Sequence, residues 1–202
     1  MAAKSGANAG EKPKKPYHHG ALREALLESA EHILERDGIT GLTLRAAARE
    51  AGASHAAPKN HFDDMTGLLS ELAARGLARF TDSLLAAADR ETDATARLNA
   101  IGRAYVEFAL ANPGLFQLMF RSERLDHSRL ALAHETRRSL QMLADAVGAA
   151  HPTAGRAEVA RAWTMVHGFA MLVLDGRLKS LMGDDPDGSD PMALLDTMLA
   201  LD

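Results

Sequence analysis

The sequence predicts an all-α protein. Aromatic residues make up only 4% of the chain, whereas Ala and Leu are abundant. This composition favours helices, because Ala and Leu lose little freedom on entering a helix and strands prefer β-branched and aromatic residues. Apolar residues also recur every three or four positions over most of the chain, and no segment shows the alternation of a strand. The expected architecture is an N-terminal three-helix unit followed by a helical bundle.

Three short helices with tight turns are predicted near the N-terminus. Gly38 ends the first of them, because glycine readily adopts the left-handed conformation of a helix C-terminus. Thr43 is expected to cap the second helix, and Gly52 to end it. Ser54 is expected to cap the third. The predicted helices cover residues 21–36, 44–50 and 55–61.

Longer helices are predicted after about residue 64. Asn112-Pro113 and His151-Pro152 interrupt the apolar pattern, since the residue before proline disfavours helical geometry. An acidic loop rich in Gly, Pro and Asp, residues 183–191, separates the last two helices. The predicted helices cover about 64–88, a segment from Leu98 to Phe108, a short apolar segment 115–120, then 128–149, 155–181 and 192–199.

The segment from Thr43 to Phe62 has the layout of a helix-turn-helix motif. A helix is followed by a glycine-containing turn of about four residues and a short capped helix, and in this motif the second helix enters the major groove of DNA. Small side chains let the two helices cross closely, and Gly52 permits the sharp turn. The small residues are Ala46, Ala47, Ala48 and Ala51.

This segment resembles the TetR/AcrR-type family of transcriptional regulators. The matching residues are Thr43-Leu44-Arg45, Ala51-Gly52-Ala53-Ser54 and His61-Phe62. Tyr17-His18-His19-Gly20, Pro113–Phe120 and Trp163–Gly168 also resemble the branch whose sensor domain is named WHG for its Trp, His and Gly. The resemblance spans about residues 17–181. It implies a helix-turn-helix DNA-binding domain over residues 17–64 and a helical sensor and dimerisation domain over 65–202. Residues 1–16 are rich in Ala, Gly, Lys and Pro without periodicity and are predicted to form a disordered basic arm, which is either an inert tail or a segment that lies along DNA phosphates or enters the minor groove.

The sequence departs from the family at the DNA-binding end. Many relatives carry an aromatic pair before the His-Phe, where this chain has Lys59-Asn60, and a Lys that follows the His-Phe is replaced near Met65. We therefore expect Lys59 to contact phosphate, whereas Asn60 either reads adenine or holds a phosphate. By position, the residues expected at DNA are Thr43, Arg45, Ser54, His55, Lys59, Asn60 and His61. For Arg45 and His55, simple exposure without a role is the alternative, and His61 could buttress its own helix.

The C-terminal part is expected to form a sensor bundle that also dimerises. The helix predicted over 155–181 is apolar on nearly all sides, and such a helix is buried on nearly all sides. The resemblance implies that the last two helices pair with their copies across a two-fold axis. A symmetric homodimer matches a palindromic DNA operator, with its two recognition helices about one DNA turn apart.

A small-molecule pocket is expected between the fifth and eighth helices. Met and Phe side chains adapt to irregular apolar ligands, and a ligand that fits a splayed dimer would release the operator. Each candidate could instead be an ordinary core residue, and His167 a satisfied core or interface histidine. The candidates are Tyr105, Phe108, Phe116, Met119, Phe120, Met142, Met165 and His167.

Enzymatic function is not expected. The chain has no Cys, its nine His do not form the paired motif of a zinc protease, and it has no phosphate-binding loop or nucleophile elbow. We therefore predict no catalytic site, metal or cofactor. The N-terminus lacks the apolar run of a secretory signal, so a cytoplasmic protein without membrane contact is expected. The main alternative is a DNA-binding regulator controlled by a protein partner or by its abundance, and activation instead of repression also stays open.

Overall fold

The computed structural model describes residues 19–121, 123–178 and 190–200, and these residues form nine helices and no strand. The prediction of an all-α fold is therefore confirmed. The basic arm predicted over 1–16 and most of the acidic loop lie outside the described residues. The helices are α1 (His19–Gly41), α2 (Leu44–Glu50), α3 (Ala57–Phe62), α4 (Met65–Ala88), α5 (Ala94–Ala111), α6 (Pro113–Arg121), α7 (Leu130–Ala150), α8 (Arg156–Leu174) and α9 (Pro191–Leu199).

The turns around α1 and α2 follow the predictions from sequence. Gly38 interrupts α1 with φ 70°, so the last residues of this element form a separate turn. The Thr43 hydroxyl accepts a hydrogen bond from the Ala46 amide at 3.0 Å and so caps α2. Gly52 has φ 64°, a left-handed conformation that glycine adopts without steric cost. These local signals were sufficient to place both ends of α2.

The start of α3 differs from the prediction. The helix begins at Ala57, its N-cap residue is Ala56, and no side chain caps it. Ser54 contributes only its backbone carbonyl, which accepts the Ala57 amide at 3.0 Å. Pro58 explains the shift, because a residue without an N–H fits the first helical turn, where no intrahelical acceptor is needed. The predicted capping by Ser54 is therefore wrong.

Helix α4 joins the two halves of the protein. It packs against α1 and α3 and also against α5, α6 and α7. Its N-cap Asp64 accepts the Gly67 amide at 2.8 Å. Leu72 and Phe80 of α4 lie in the same buried cluster as Leu26 of α1. One hydrophobic core therefore extends from the helix-turn-helix into the bundle.

Three ion pairs join α1 to α4, and we call them the α1–α4 ladder. Arg23 pairs with Glu71 at 2.7 Å, Arg75 pairs with Glu24, and Arg79 pairs with Glu31. An exposed ion pair contributes only about 0–1 kcal/mol. Three pairs along one seam nevertheless favour a single orientation of α1 on α4.

The end of α8 also differs from the prediction of a helix to residue 181. The helix ends at Leu174, because Gly176 adopts φ 67° and the Arg177 amide donates to the Leu172 carbonyl at 2.9 Å. The apolar pattern of the sequence extends past the end of the helix, because Leu178 is also buried although it lies beyond α8. Among the described helices, none is both long and apolar enough to span a bilayer.

Candidate nucleic-acid interface and internal cavity

The predicted DNA-contacting residues lie on the surface around α2 and α3. Thr43, Arg45, Ser54, His55, Lys59 and Asn60 are exposed, and His61 is half-buried. Within the described parts of the chain, the side chains of Arg45, His55, Lys59 and Asn60 make no hydrogen bond or ion pair, whereas the Thr43 hydroxyl is used in capping α2. The donors of these four side chains are therefore available to an external partner.

The opposite face of α3 is fixed in the protein. Phe62 is buried, and the Arg23 guanidinium lies 5.4 Å from the centre of its ring. Behind it, a Cβ atom at Gly67 would lie 1.8 Å from the Phe62 carbonyl oxygen, so only glycine fits at that position. This close packing orients the exposed face of a helix of only six residues.

A cavity of about 560 Å³ lies within the bundle, between α4, α5, α6, α7 and α8. Six of the predicted pocket residues line it: Tyr105, Met119, Phe120, Met142, Met165 and His167. Phe108 and Phe116 are not among the lining residues. They pack behind the wall, with ring centres 5.2 Å from Phe80 and 5.7 Å from Tyr105, respectively.

Polar lining residues were missed by sequence reasoning. Thr95 and Asn99 lie on α5, and Thr136 and Ser139 lie on α7. The sequence contained a signal for Thr95, because Thr95, Leu98, Gly102 and Tyr105 recur every three or four residues along α5, and Asn99 lies one turn after Thr95. The pocket prediction rested on the chemistry of aromatic and Met side chains and therefore did not include the polar residues on the same face of α5. The cavity therefore combines an apolar wall with hydrogen-bonding groups.

Tyr105 lies at the centre of a hydrogen-bonded group on the cavity wall. Trp163 Nε1 donates to the Tyr105 hydroxyl at 3.3 Å, and that hydroxyl lies 2.8 Å from His167 Nδ1. Tyr105 is only 5% exposed, and burial raises the pKa of its phenol well above the ordinary value, while the Trp163 hydrogen bond lowers it in part. The indole N–H of Trp163 can only donate, so the Tyr105 hydroxyl accepts it, and the direction of the hydrogen bond between Tyr105 and His167 is set by the tautomer of His167. The three side chains therefore fix one another in place.

Helix α6 connects this cavity to α1. The Glu35 carboxylate of α1 accepts the Gly114 amide at 3.0 Å and the Leu115 amide at 2.8 Å, and we call this contact the Glu35 clamp. Asn112 precedes α6, but its side chain donates to the Phe108 carbonyl and accepts from Arg79. Glu35 thus acts as the N-terminal cap of α6 from a distant part of the chain.

No group of three or more His, Cys, Asp or Glu side chains suitable for a metal ion occurs among the described residues. The architecture is instead a helix-turn-helix with an exposed recognition face, joined to a helical bundle that contains a cavity. This combination is typical of DNA-binding regulators whose sensor and DNA-binding parts lie in one chain.

The comparisons with known proteins identify the family. Residues 98–200 match the family model described as "Tetracyclin repressor-like, C-terminal domain", which covers about half of the chain. The chain therefore belongs to the TetR-type family of transcriptional regulators. The predictions of this family and of a regulator instead of an enzyme are confirmed, whereas the WHG branch stays a prediction.

Three similar proteins illustrate the match. The helix-turn-helix-type transcriptional regulator YobS of Bacillus subtilis (strain 168), itself uncharacterised, is 26% identical over 98 residues, which are 48% of this chain and 51% of YobS. This chain spans about half the length of the curated relatives it matches. A protein of unknown function from Rhodococcus sp. RHA1 has a TM-score of 0.78 and 36% identity, over 93% of this chain and 96% of that one. AibR, crystallised with isovaleryl coenzyme A and operator DNA, shares the fold, with a TM-score of 0.65 and 16% identity over 89% of this chain and 97% of its own.

Proposed function

We propose that this chain is a homodimeric repressor that binds a palindromic operator and is released by a small, largely apolar ligand. The observation that carries this proposal is the exposed polar face of α3, whose side chains have no partner in the described protein while the helix is held firmly from behind. We place the DNA-binding domain in residues 17–64 and the sensor in 65–202. A DNA-binding role also implies that the protein acts in the cytoplasm.

DNA binding would depend on local cations, because the whole chain carries a net charge of −4. Lys59 on α3 and Arg45 at the start of α2 are both exposed and extend from neighbouring elements. Lys59 is proposed to contact phosphate. Asn60 carries both a donor and an acceptor, as required to read adenine or to hold a phosphate. The proposed interface also includes Thr43, Ser54, His55 and His61.

Dimerisation is supported by the uncovered apolar side chains of α8. In the single chain, Leu172 is 42% exposed, and Trp163, whose indole N–H bonds to Tyr105 at the cavity wall, is still 38% exposed. We therefore propose that α8 and α9 pair with their copies across a two-fold axis.

Ligand binding is supported by the size and lining of the cavity. Its volume of about 560 Å³ lies within the usual range of ligand pockets. Its proposed contacts are Tyr105, Met119, Phe120, Met142, Met165 and His167, with Phe108 and Phe116 as support behind them. AibR, which shares the fold, holds a ligand and operator DNA in one crystal structure. The cavity also disfavours the alternative of a regulator without a small-molecule effector, because such a regulator would need no cavity of ligand size in its bundle.

The first experiment is the selection of bound sequences from a random DNA pool, with purified full-length protein at a stated salt concentration. We expect a short inverted repeat whose half-sites lie about one helical turn apart. Recovery of a single half-site would contradict binding of DNA by a homodimer. A failure to enrich any sequence would refute DNA recognition by α3.

The oligomeric state tests the proposed α8–α9 interface. Sedimentation equilibrium should give twice the chain mass of 21.6 kDa for the wild type and a monomer for Leu172→Glu. Leu130→Glu is the matched control, because Leu130 is 85% exposed but lies at the start of α7. If both variants remain dimeric, the interface lies elsewhere.

A further inference from the structure

Arg129 connects the end of α3 to the start of α7. It is the residue before α7, and its side chain reaches back across the sequence to Asp63, the residue that ends α3. Arg129 Nη2 donates to the Asp63 carboxylate at 3.3 Å. The contact is therefore between the C-terminal end of the recognition helix and the first turn of a helix that lines the cavity.

The surroundings of this ion pair are tightly constrained. Asp63 adopts φ 66° and ψ −63°, a conformation that costs energy for a residue other than glycine. Arg129 Nη2 would lie 2.9 Å from a Cβ atom at Gly67, so the guanidinium packs directly against the start of α4. Arg129 Nε is buried without a hydrogen bond, 3.7 Å from the Asp126 carboxylate. The Arg129 side chain therefore has little freedom to move relative to the start of α4, and its Nη2 group is held where it can reach Asp63.

The loop before Arg129 is also held in place. The Asp126 amide donates to the hydroxyl of Ser70, a buried residue of α4, at 2.9 Å. The Asp126 carboxylate accepts from the Ser128 amide at 3.0 Å and from the Ser128 hydroxyl at 2.6 Å. The backbone that carries Arg129 is therefore fixed against α4, on the same side as α3.

Helix α7 continues from Arg129 directly into the cavity wall. Leu132 and Thr136 lie about one and two turns further on and both line the cavity. Leu132 is buried, so the first turn of α7 cannot shift without disturbing the wall. A movement of Arg129 would therefore shift the cavity wall, and a movement of the wall would shift Arg129.

We propose that Arg129 is a positioning residue for the recognition helix: through Asp63, it makes the end of α3 and the first turn of α7 move as one unit. This inference rests on the proposed DNA-binding function. Arg129 would set operator affinity without touching DNA. That property separates it from Lys59, which would act on phosphate directly.

The test compares operator affinity and its salt dependence among full-length variants, on the sequence selected by the wild type. Arg129→Met removes the charge but keeps the apolar stem, and Asp63→Asn keeps a residue that tolerates positive φ. We expect each variant, and the double variant, to raise Kd by about threefold to tenfold, with no further loss in the double variant. The slope of log Kd against log salt should be unchanged, because no phosphate contact is lost. Arg129→Lys should restore part of the affinity.

Arg137→Met is the matched control, since Arg137 is an exposed arginine of α7 that bonds to Ala133 in its own helix. It should leave Kd unchanged. Hydrogen exchange provides a readout that needs no DNA: Asp63→Asn should speed exchange both in residues 57–64 and in 130–134, across the ion pair. If Arg129→Met does not fold, Asp63→Asn can still be measured, because the Asp63 side chain is largely exposed.

The outcomes are distinct. An unchanged Kd in Arg129→Met, additive losses in the double variant, or exchange that speeds up only in 57–64 would overturn the positioning role. A salt slope reduced by about one would mean that Arg129 contacts phosphate itself. If the wild type selects no DNA sequence at all, the proposed function fails instead, and the hydrogen-exchange result still decides whether α3 and α7 are linked.

Discussion

The Glu35 clamp allows a quantitative prediction about how the two halves of the protein hold together. Replacing Glu35 with Ala removes the acceptor for two backbone amides, those of Gly114 and Leu115. These amides belong to the first turn of α6, where no intrahelical carbonyl can accept them. The side chain of Asn112 is engaged elsewhere and cannot take over.

The expected loss follows from the cost of removing a helix cap. Removal of an N-terminal cap costs about 0.5–2 kcal/mol, and a carboxylate at this position gains a further 0.3–1 kcal/mol from the helix dipole. Because the Gly114 side of the contact is exposed to solvent, we expect a decrease of about 1–2 kcal/mol in the unfolding free energy of Glu35→Ala. Glu35→Gln keeps one acceptor oxygen, so it should lose roughly half of that amount.

Urea unfolding at fixed protein concentration measures this effect, with the fluorescence of Trp163 as the signal, since it is the sole Trp of the chain. Glu28→Ala is the matched control, because Glu28 is an exposed residue of α1 whose side chain makes no hydrogen bond or ion pair within the described residues. It should change the unfolding free energy by less than about 0.5 kcal/mol. Equal stability of the Glu35 and Glu28 variants would refute the capping role of Glu35.

Three further predictions follow from the geometry of the interface and the cavity. Lys59→Ala should weaken DNA binding on all sequences and lower the salt slope by about one, measured by titrations at several salt concentrations, and an unchanged slope would exclude a phosphate contact. Gly67→Ala should destabilise the fold by at least about 3 kcal/mol in urea unfolding, because its Cβ would overlap the Phe62 carbonyl, whereas Gly148→Ala, with open space around it, should stabilise by about 0.5–1 kcal/mol. The raised pKa of Tyr105 means that the unfolded chain ionises this phenol before the folded one does, so the unfolding free energy should fall as pH rises above about 10, and Tyr105→Phe should abolish that part of the fall.

Local signals in the sequence were sufficient for most of the fold. Thr43 and Gly52 act within three or four residues of their own position, so their effects on α2 could be predicted directly. The start of α3 was missed because Pro58 imposes a later first turn than the Ser54 cap implied. The end of α8 was missed because the apolar pattern continues to Leu178 after the backbone has already turned at Gly176.

The contacts that join distant segments could not be predicted. Glu35 meets the amides of α6 about 80 residues further along the chain, and Arg129 meets Asp63 across 66 residues. Neither side chain differs locally from any other charged residue on a helix. The cavity lining was predicted in part, because Tyr105 and His167 share a face of their helices with other lining residues. Phe108 and Phe116 fall behind the wall because their rings stack edge-on against Phe80 and Tyr105, a packing that only the three-dimensional arrangement decides.

The α1–α4 ladder has a consequence for the construction of hybrid regulators. A chimaera that joined the DNA-binding end of this chain to the sensor of a relative at residue 64 would separate Arg23 from Glu71 and Glu24 from Arg75. It would also leave the Glu35 carboxylate facing a foreign sixth helix. Exchange of DNA specificity should therefore succeed best when only the exposed face of α3 is transplanted and the seam beneath it is left as it is.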